Sequence, residues 1–175
     1  MRLPALKHLV QAIHALSKSN RICVLGSSAL LGTFPELGDQ GGPLELSFDA
    51  DLLVEPCDEE MAAMIHEAVG EGSLFARREG YHADIMRPNI VETLPPGWES
   101  RLVRLDESAN ALALSPEDLI VAKMRVGRAK DMDLCRAMID RSLITPAILR
   151  ARLDATPMPE SEVVTVYQRL NSLLA

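Results

Sequence analysis

The sequence predicts an α+β (or small α/β) fold: a short mixed sheet followed by a helical C-terminal region. Two observations predict it. Apolar runs of strand length alternate with helical stretches as far as residue 114, and from residue 115 onward helix-period segments follow one another with no strand between them. A third observation marks where chemistry concentrates: inside one apolar run, "SFDADLLVEP" at residues 47–56, two aspartates stand one residue apart. The expected domains are an α/β core over residues 1–114 and a helical region over 115–175 packed on it.

In order along the chain, "PALKHLVQAIHALSKS" carries Leu6, Leu9, Val10, Ile13 and Leu16 on one stripe, which predicts an amphipathic helix. "RICVLG" reads as a short buried strand ending at Gly26, and "SSALLG" opens like a helix. Residues 33–47, rich in Gly and Pro, read as a loop, and the aspartate-bearing strand follows. "DEEMAAMIHEAV" predicts a helix closed by Gly70. "GYHADIM" (80–86), "RLVRL" (101–105) and "ALAL" (111–114) are short strand candidates, with an irregular stretch at 88–100. Ser115-Pro116-Glu117-Asp118 predicts a helix start with a hydroxyl cap, proline in the first turn and acids near the positive helix end. Four helical segments then run from 118 to 175, broken at Gly127, Thr145-Pro146 and Pro157/Pro159.

The composition is that of an ordinary globular protein, with 47% apolar and 25% charged residues in 175. No apolar run reaches membrane-span length, so no membrane association is expected. Three widely spaced cysteines (Cys23, Cys57, Cys135) argue against a disulfide framework or structural zinc site and suit a reducing cytoplasm. A net charge of −7 disfavours broad attraction to nucleic acid, although "KMRVGRAK" (123–130) concentrates four cations.

Side chains alternate along a strand, so Asp49 and Asp51 share one face while Phe48, Ala50, Leu52 and Val54 share the other. Their Cα atoms would lie roughly 7 Å apart. Two carboxylates at that spacing can lean together onto hard divalent cations such as Mg²⁺ (or Mn²⁺), which prefer oxygen ligands and bind nucleotide phosphates. The same pair could also be solvated charges on an exposed face. Gly26-Ser27-Ser28 stands at a strand-to-helix junction, where free N–H groups can meet a phosphate; a plain tight turn is the simpler alternative.

Taken in order, "LGSSALLG" and "FDADLLV" resemble the glycine-serine turn and D-x-D strand of the nucleotidyltransferase fold shared by DNA polymerase β and its relatives. "LSPEDLIVAKMRVGRAKDMDLCRAMI" is similar to the later motifs of the AbiEii-type toxin nucleotidyltransferases, and "TLPPGWESRLVRL" resembles the DUF6036 branch of the superfamily. The resemblance covers roughly residues 20–142. It implies a polymerase β-like core, with Gly26, Ser27 and Ser28 cradling phosphate and Asp49 and Asp51 binding metal. Lys123, with Arg128, would contact the nucleotide, and Asp131 would be the downstream aspartate of the fourth motif. It further implies a third carboxylate from a later strand, for which Asp84 is the candidate, with His82 on the same face.

The implied activity moves an NMP from an NTP to an acceptor hydroxyl on a tRNA or protein, in a toxin–antitoxin or defence setting with an antitoxin partner. The alternative is a catalytically inactive binding or regulatory module of the same fold. The 21 residues between Ser27 and Asp49 exceed the usual connector and could form a lid or an insertion.

Overall fold

A computed structural model describes residues 1–175. Its elements run α1 (Leu3–Ser17), β1 (Arg21–Val24), β2 (Asp49–Glu55), α2 (Glu59–Val69), α3 (Leu74–Glu79), β3 (His82–Ile85), β4 (Val103–Asp106), β5 (Ala111–Ala113), α4 (Pro116–Val126), α5 (Ala129–Asp140), α6 (Pro146–Ala155) and α7 (Glu160–Leu174). The α+β class and the helical C-terminus are therefore as the sequence predicts. The five strands form one mixed sheet in the order β3-β2-β1-β5-β4. β1 runs antiparallel to β2 and parallel to β5; β2 and β3 are parallel, and β4 and β5 antiparallel. No helix is long and apolar enough to cross a membrane.

Two compact units emerge, one comprising residues 1–88 and 101–115, the other 89–100 and 116–175. In the first, Leu6, Leu9, Val10 and Ile13 of α1 are fully buried. Burial of each contributes about 1.5–3 kcal/mol relative to exposure. Leu16 is the exception on that stripe, 40% exposed, because the helix ends a residue later with Lys18 in the left-handed region at φ 49°. In β2, Leu52, Leu53 and Val54 are all buried, which explains why this strand reads as apolar on both faces at its C-terminal half.

Asp58 caps α2 by accepting the Met61 N–H at 2.8 Å, and Ser73 caps α3 by accepting the Ala76 N–H at 3.0 Å. The sequence reading missed α3 because it is short and carries no buried residue, so no apolar periodicity announces it. Residues 27–32 form a 3-10 helix instead of an α-helix, and further 3-10 turns occupy 35–38, 88–93 and 98–101. The 33–47 connector packs as a body: Leu37 and Leu44 are buried, the Leu44 N–H donates to the Leu37 carbonyl, and the Met1 amino group donates to the Leu44 and Ser47 carbonyls.

The second unit is organised around α4, which packs on α5, α6 and α7. Leu119, Ile120, Val121 and Met124 are buried on this helix, and so are its charged Asp118 and Lys123. Buried charges need partners. Asp118 has Arg152 Nε at 3.5 Å, and Lys123 has Asp131. The expected hydroxyl cap of α4 does not form: Ser115 Oγ is buried without a hydrogen-bond partner. At its other end α4 is closed by Gly127 at φ 68°, and Arg169 of α7 donates to the terminal carbonyls of Met124 and Arg125 at 2.6 and 2.9 Å.

Candidate functional site

The site grows from strand register. Parallel pairing aligns Asp49 with His82, Ala50 with Ala83 and Asp51 with Asp84. Because side chains alternate, Ala50 and Ala83 point to the buried face, while Asp49, Asp51, His82 and Asp84 all share the other. One ligand oxygen from each of Asp49, Asp51 and Asp84 lies within 4.8 Å of the others, and all three residues are half-buried. Such oxygens suit a hard divalent cation, since donors 2.0–2.6 Å from one ion are separated by at most roughly 5 Å. The parallel register thus brings Asp84 to the Asp49–Asp51 pair.

Gly26 adjoins this triad in an unexpected way. A β-carbon on residue 26 would lie 1.9 Å from Asp51 Oδ2 and 2.9 Å from Asp51 Cβ. Glycine is required here so that the Asp51 side chain can lie against the turn. The backbone is joined as well, with the Leu25 N–H donating to the Asp51 carbonyl at 2.9 Å. Ser27 is half-exposed, whereas Ser28 is 1% exposed and its Oγ has no hydrogen-bond partner. Of the two hydroxyls, only that of Ser27 is open to a ligand. The sequence reading overlooked Ser47, whose Oγ lies 3.4 Å from Asp49 Oδ1 as a donor. Its position two residues before Asp49, on the same side of an extended chain, was the available signal.

Lys123, Arg128 and Asp131 belong to the helical unit and form a group of their own. Lys123 is 8% exposed with Nζ 3.3 Å from Asp131 Oδ1. Arg128 grips the same carboxylate with Nε at 2.7 Å from Oδ2 and Nη2 at 3.2 Å from Oδ1. Burial pushes the Asp131 carboxyl up, but the Arg128 hydrogen bonds and the Lys123 charge outweigh it and hold it below the usual value. The same burial, with the Asp131 charge added, pushes the neighbouring Cys135 thiol up to about 12.

Three carboxylates converge from two parallel strands beside a glycine-serine turn, and a family match places the chain in the nucleotidyltransferase class. One family profile matches residues 4–163, and the chain belongs to that family, DUF6036, described as a nucleotidyltransferase of unknown function. No curated protein and no solved structure matches the chain.

Proposed function

We propose that the chain is a metal-dependent nucleotidyltransferase that moves an NMP from an NTP to an acceptor hydroxyl. The observation that carries this reading is the meeting of Asp49, Asp51 and Asp84 oxygens within 4.8 Å of one another. These residues would hold Mg²⁺ (or Mn²⁺), whose charge offsets that of the triphosphate and steadies the entering and leaving oxygens. Gly26 and the Ser27 hydroxyl would receive the outer phosphates. Asp84, whose side chain is 45% exposed, is open to an acceptor and would take its hydroxyl proton. The acceptor oxygen forms a bond to the α-phosphorus as the bond to the β-phosphate oxygen breaks, and pyrophosphate leaves with the electron pair. Positioning and fixed charge supply most of the rate.

The acceptor is better supported as a protein or small-molecule hydroxyl than as a tRNA end. The basic run at 123–130 spends Lys123 and Arg128 on Asp131, and the net charge is −7. A toxin–antitoxin setting with a neutralising partner, located in the cytoplasm, completes the reading. Incubation with each NTP labelled at the α-phosphate, Mg²⁺ and candidate acceptors tests it. Label on the acceptor that disappears in D49N and D51N is expected; label transferred only from the γ position would point to a phosphotransferase instead.

One observation favours a second reading, a binding module without chemistry. Lys123, the residue the resemblance assigns to nucleotide phosphates, is buried and ion-paired with Asp131. Under that reading, NTPs with Mg²⁺ raise the melting temperature while no acceptor becomes labelled.

A further inference from the structure

The three carboxylates occupy three corners of a two-by-two array on one face of the β2–β3 pair, and the fourth corner is the imidazole of His82. The His82 side chain is 18% exposed, and its Nε2 lies 4.0 Å from Asp84 Oδ1. The stretch carrying both residues is pinned at each end, by the His82 N–H donating to the Phe48 carbonyl at 2.9 Å and the Met86 N–H to the Leu52 carbonyl at 2.8 Å. The neighbouring Tyr81 belongs to the other face, where its hydroxyl meets His8 Nδ1 at 2.7 Å. The mutually close ligand atoms are those of the three aspartates, without His82.

Three like charges this close repel, and Asp84 is exposed enough to swing into water. A largely covered imidazole stands beside it, 4.0 Å away. We infer that His82 is a positioning residue of the cation site: the ring nitrogen facing Asp84 keeps its carboxylate with those of Asp49 and Asp51 without becoming a ligand. This rests on reading the triad as a cation site. Groups that orient metal-binding side chains typically govern affinity by 10–100-fold, and a site held only by its direct ligands is loose.

The test is Mn²⁺ binding to the full chain, followed by the loss of the free-ion spin-resonance signal, alongside melting of the metal-free protein. H82F keeps the bulk of the ring and removes its nitrogens; H82Q restores a polar nitrogen. H82F is expected to bind Mn²⁺ roughly tenfold more weakly at nearly unchanged melting temperature, H82Q to recover most of the affinity, and D51N to lose binding. Wild-type affinity in H82F, or an H82Q as weak as H82F, overturns the positioning role and leaves the triad reading standing if D51N has lost binding. Absence of Mn²⁺ binding by the wild-type chain overturns both.

Discussion

Asp51 lies in the space that a β-carbon on residue 26 would need, its Oδ2 1.9 Å from that position. The glycine at the turn and the central carboxylate of the triad are therefore one device, although 25 positions separate them in the chain. G26A should force the Asp51 side chain aside, because even Asp51 Cβ would be 2.9 Å away. The expected outcome is about 1–3 kcal/mol of destabilisation from overpacking, with Mn²⁺ affinity lost. Urea unfolding and a metal-binding isotherm on the same preparation check both.

Asp51 and Asp84 stand directly opposite in register, and like charges in such pairs destabilise a sheet by roughly 0.2–1 kcal/mol. D84N should leave the metal-free protein as stable or slightly more stable, while abolishing the rise in melting temperature expected of the wild type with Mg²⁺ or Mn²⁺. An unchanged metal response in D84N would remove this residue from the site.

The Asp131 carboxylate serves two cations, so its loss and the loss of Lys123 are unequal. D131A leaves Lys123 buried without its partner and should cost about 3–5 kcal/mol. K123M retains the Arg128–Asp131 pair and fills a similar volume, so a cost well below that is expected. Chemical denaturation of the two variants separates them, and equal costs would argue against a carboxylate shared by Lys123 and Arg128.

At Gly127 a side chain would meet both an unfavourable backbone angle, φ 68°, and the Arg169 guanidinium, with Nη1 2.2 Å from the new β-carbon. G127A is expected to cost about 1–2 kcal/mol. Arg169 would also be displaced from the carbonyls that end α4, so R169A combined with G127A should cost less than the sum of the two, measured by a double-mutant cycle.

Asp106 and Asp131 both lose stabilising interactions in acid. Burial pushes the Asp106 carboxyl up, but hydrogen bonds from Ser108 Oγ (2.6 Å), the Ala109 N–H (3.0 Å) and Gln11 Nε2 (3.0 Å) outweigh it and hold it low. With both folded values below the ordinary 3.8, the unfolded chain binds protons first as pH falls. The two groups contribute fully above about pH 4, and their contribution fades as pH drops through the folded values. The unfolding free energy should therefore fall as pH drops below about 4, less steeply in D106N; an identical slope in that variant would exclude Asp106.

Much of the fold was legible because it rests on periodicity. The α1 stripe, the apolar β2 strand and the Pro-led start of α4 all carry their signals within a few residues. Asp49 and Asp51 stand out for a different reason: two acids in an apolar strand conflict with their surroundings. What stayed hidden depends on pairing between distant segments. Nothing local in "GYHADIM" says that Asp84 aligns with Asp51, which follows only from the parallel register. Nor does "VLGSSALLG" say that the glycine makes room for an aspartate. The burial of Lys123 was equally invisible, since a lysine beside Ile120 and Val121 reads as a surface residue until the helices packed around α4 are known.

Parallel pairing of β2 with β3 has one more consequence. Sliding β3 by a single residue would turn Asp84 to the buried side of the sheet and set Ala83 or Ile85 opposite Asp51. Under the proposed metal-binding reading, ion uptake would report the register of this pair: a preparation with full helical content that takes up less Mn²⁺ than its properly paired counterpart would contain slipped chains.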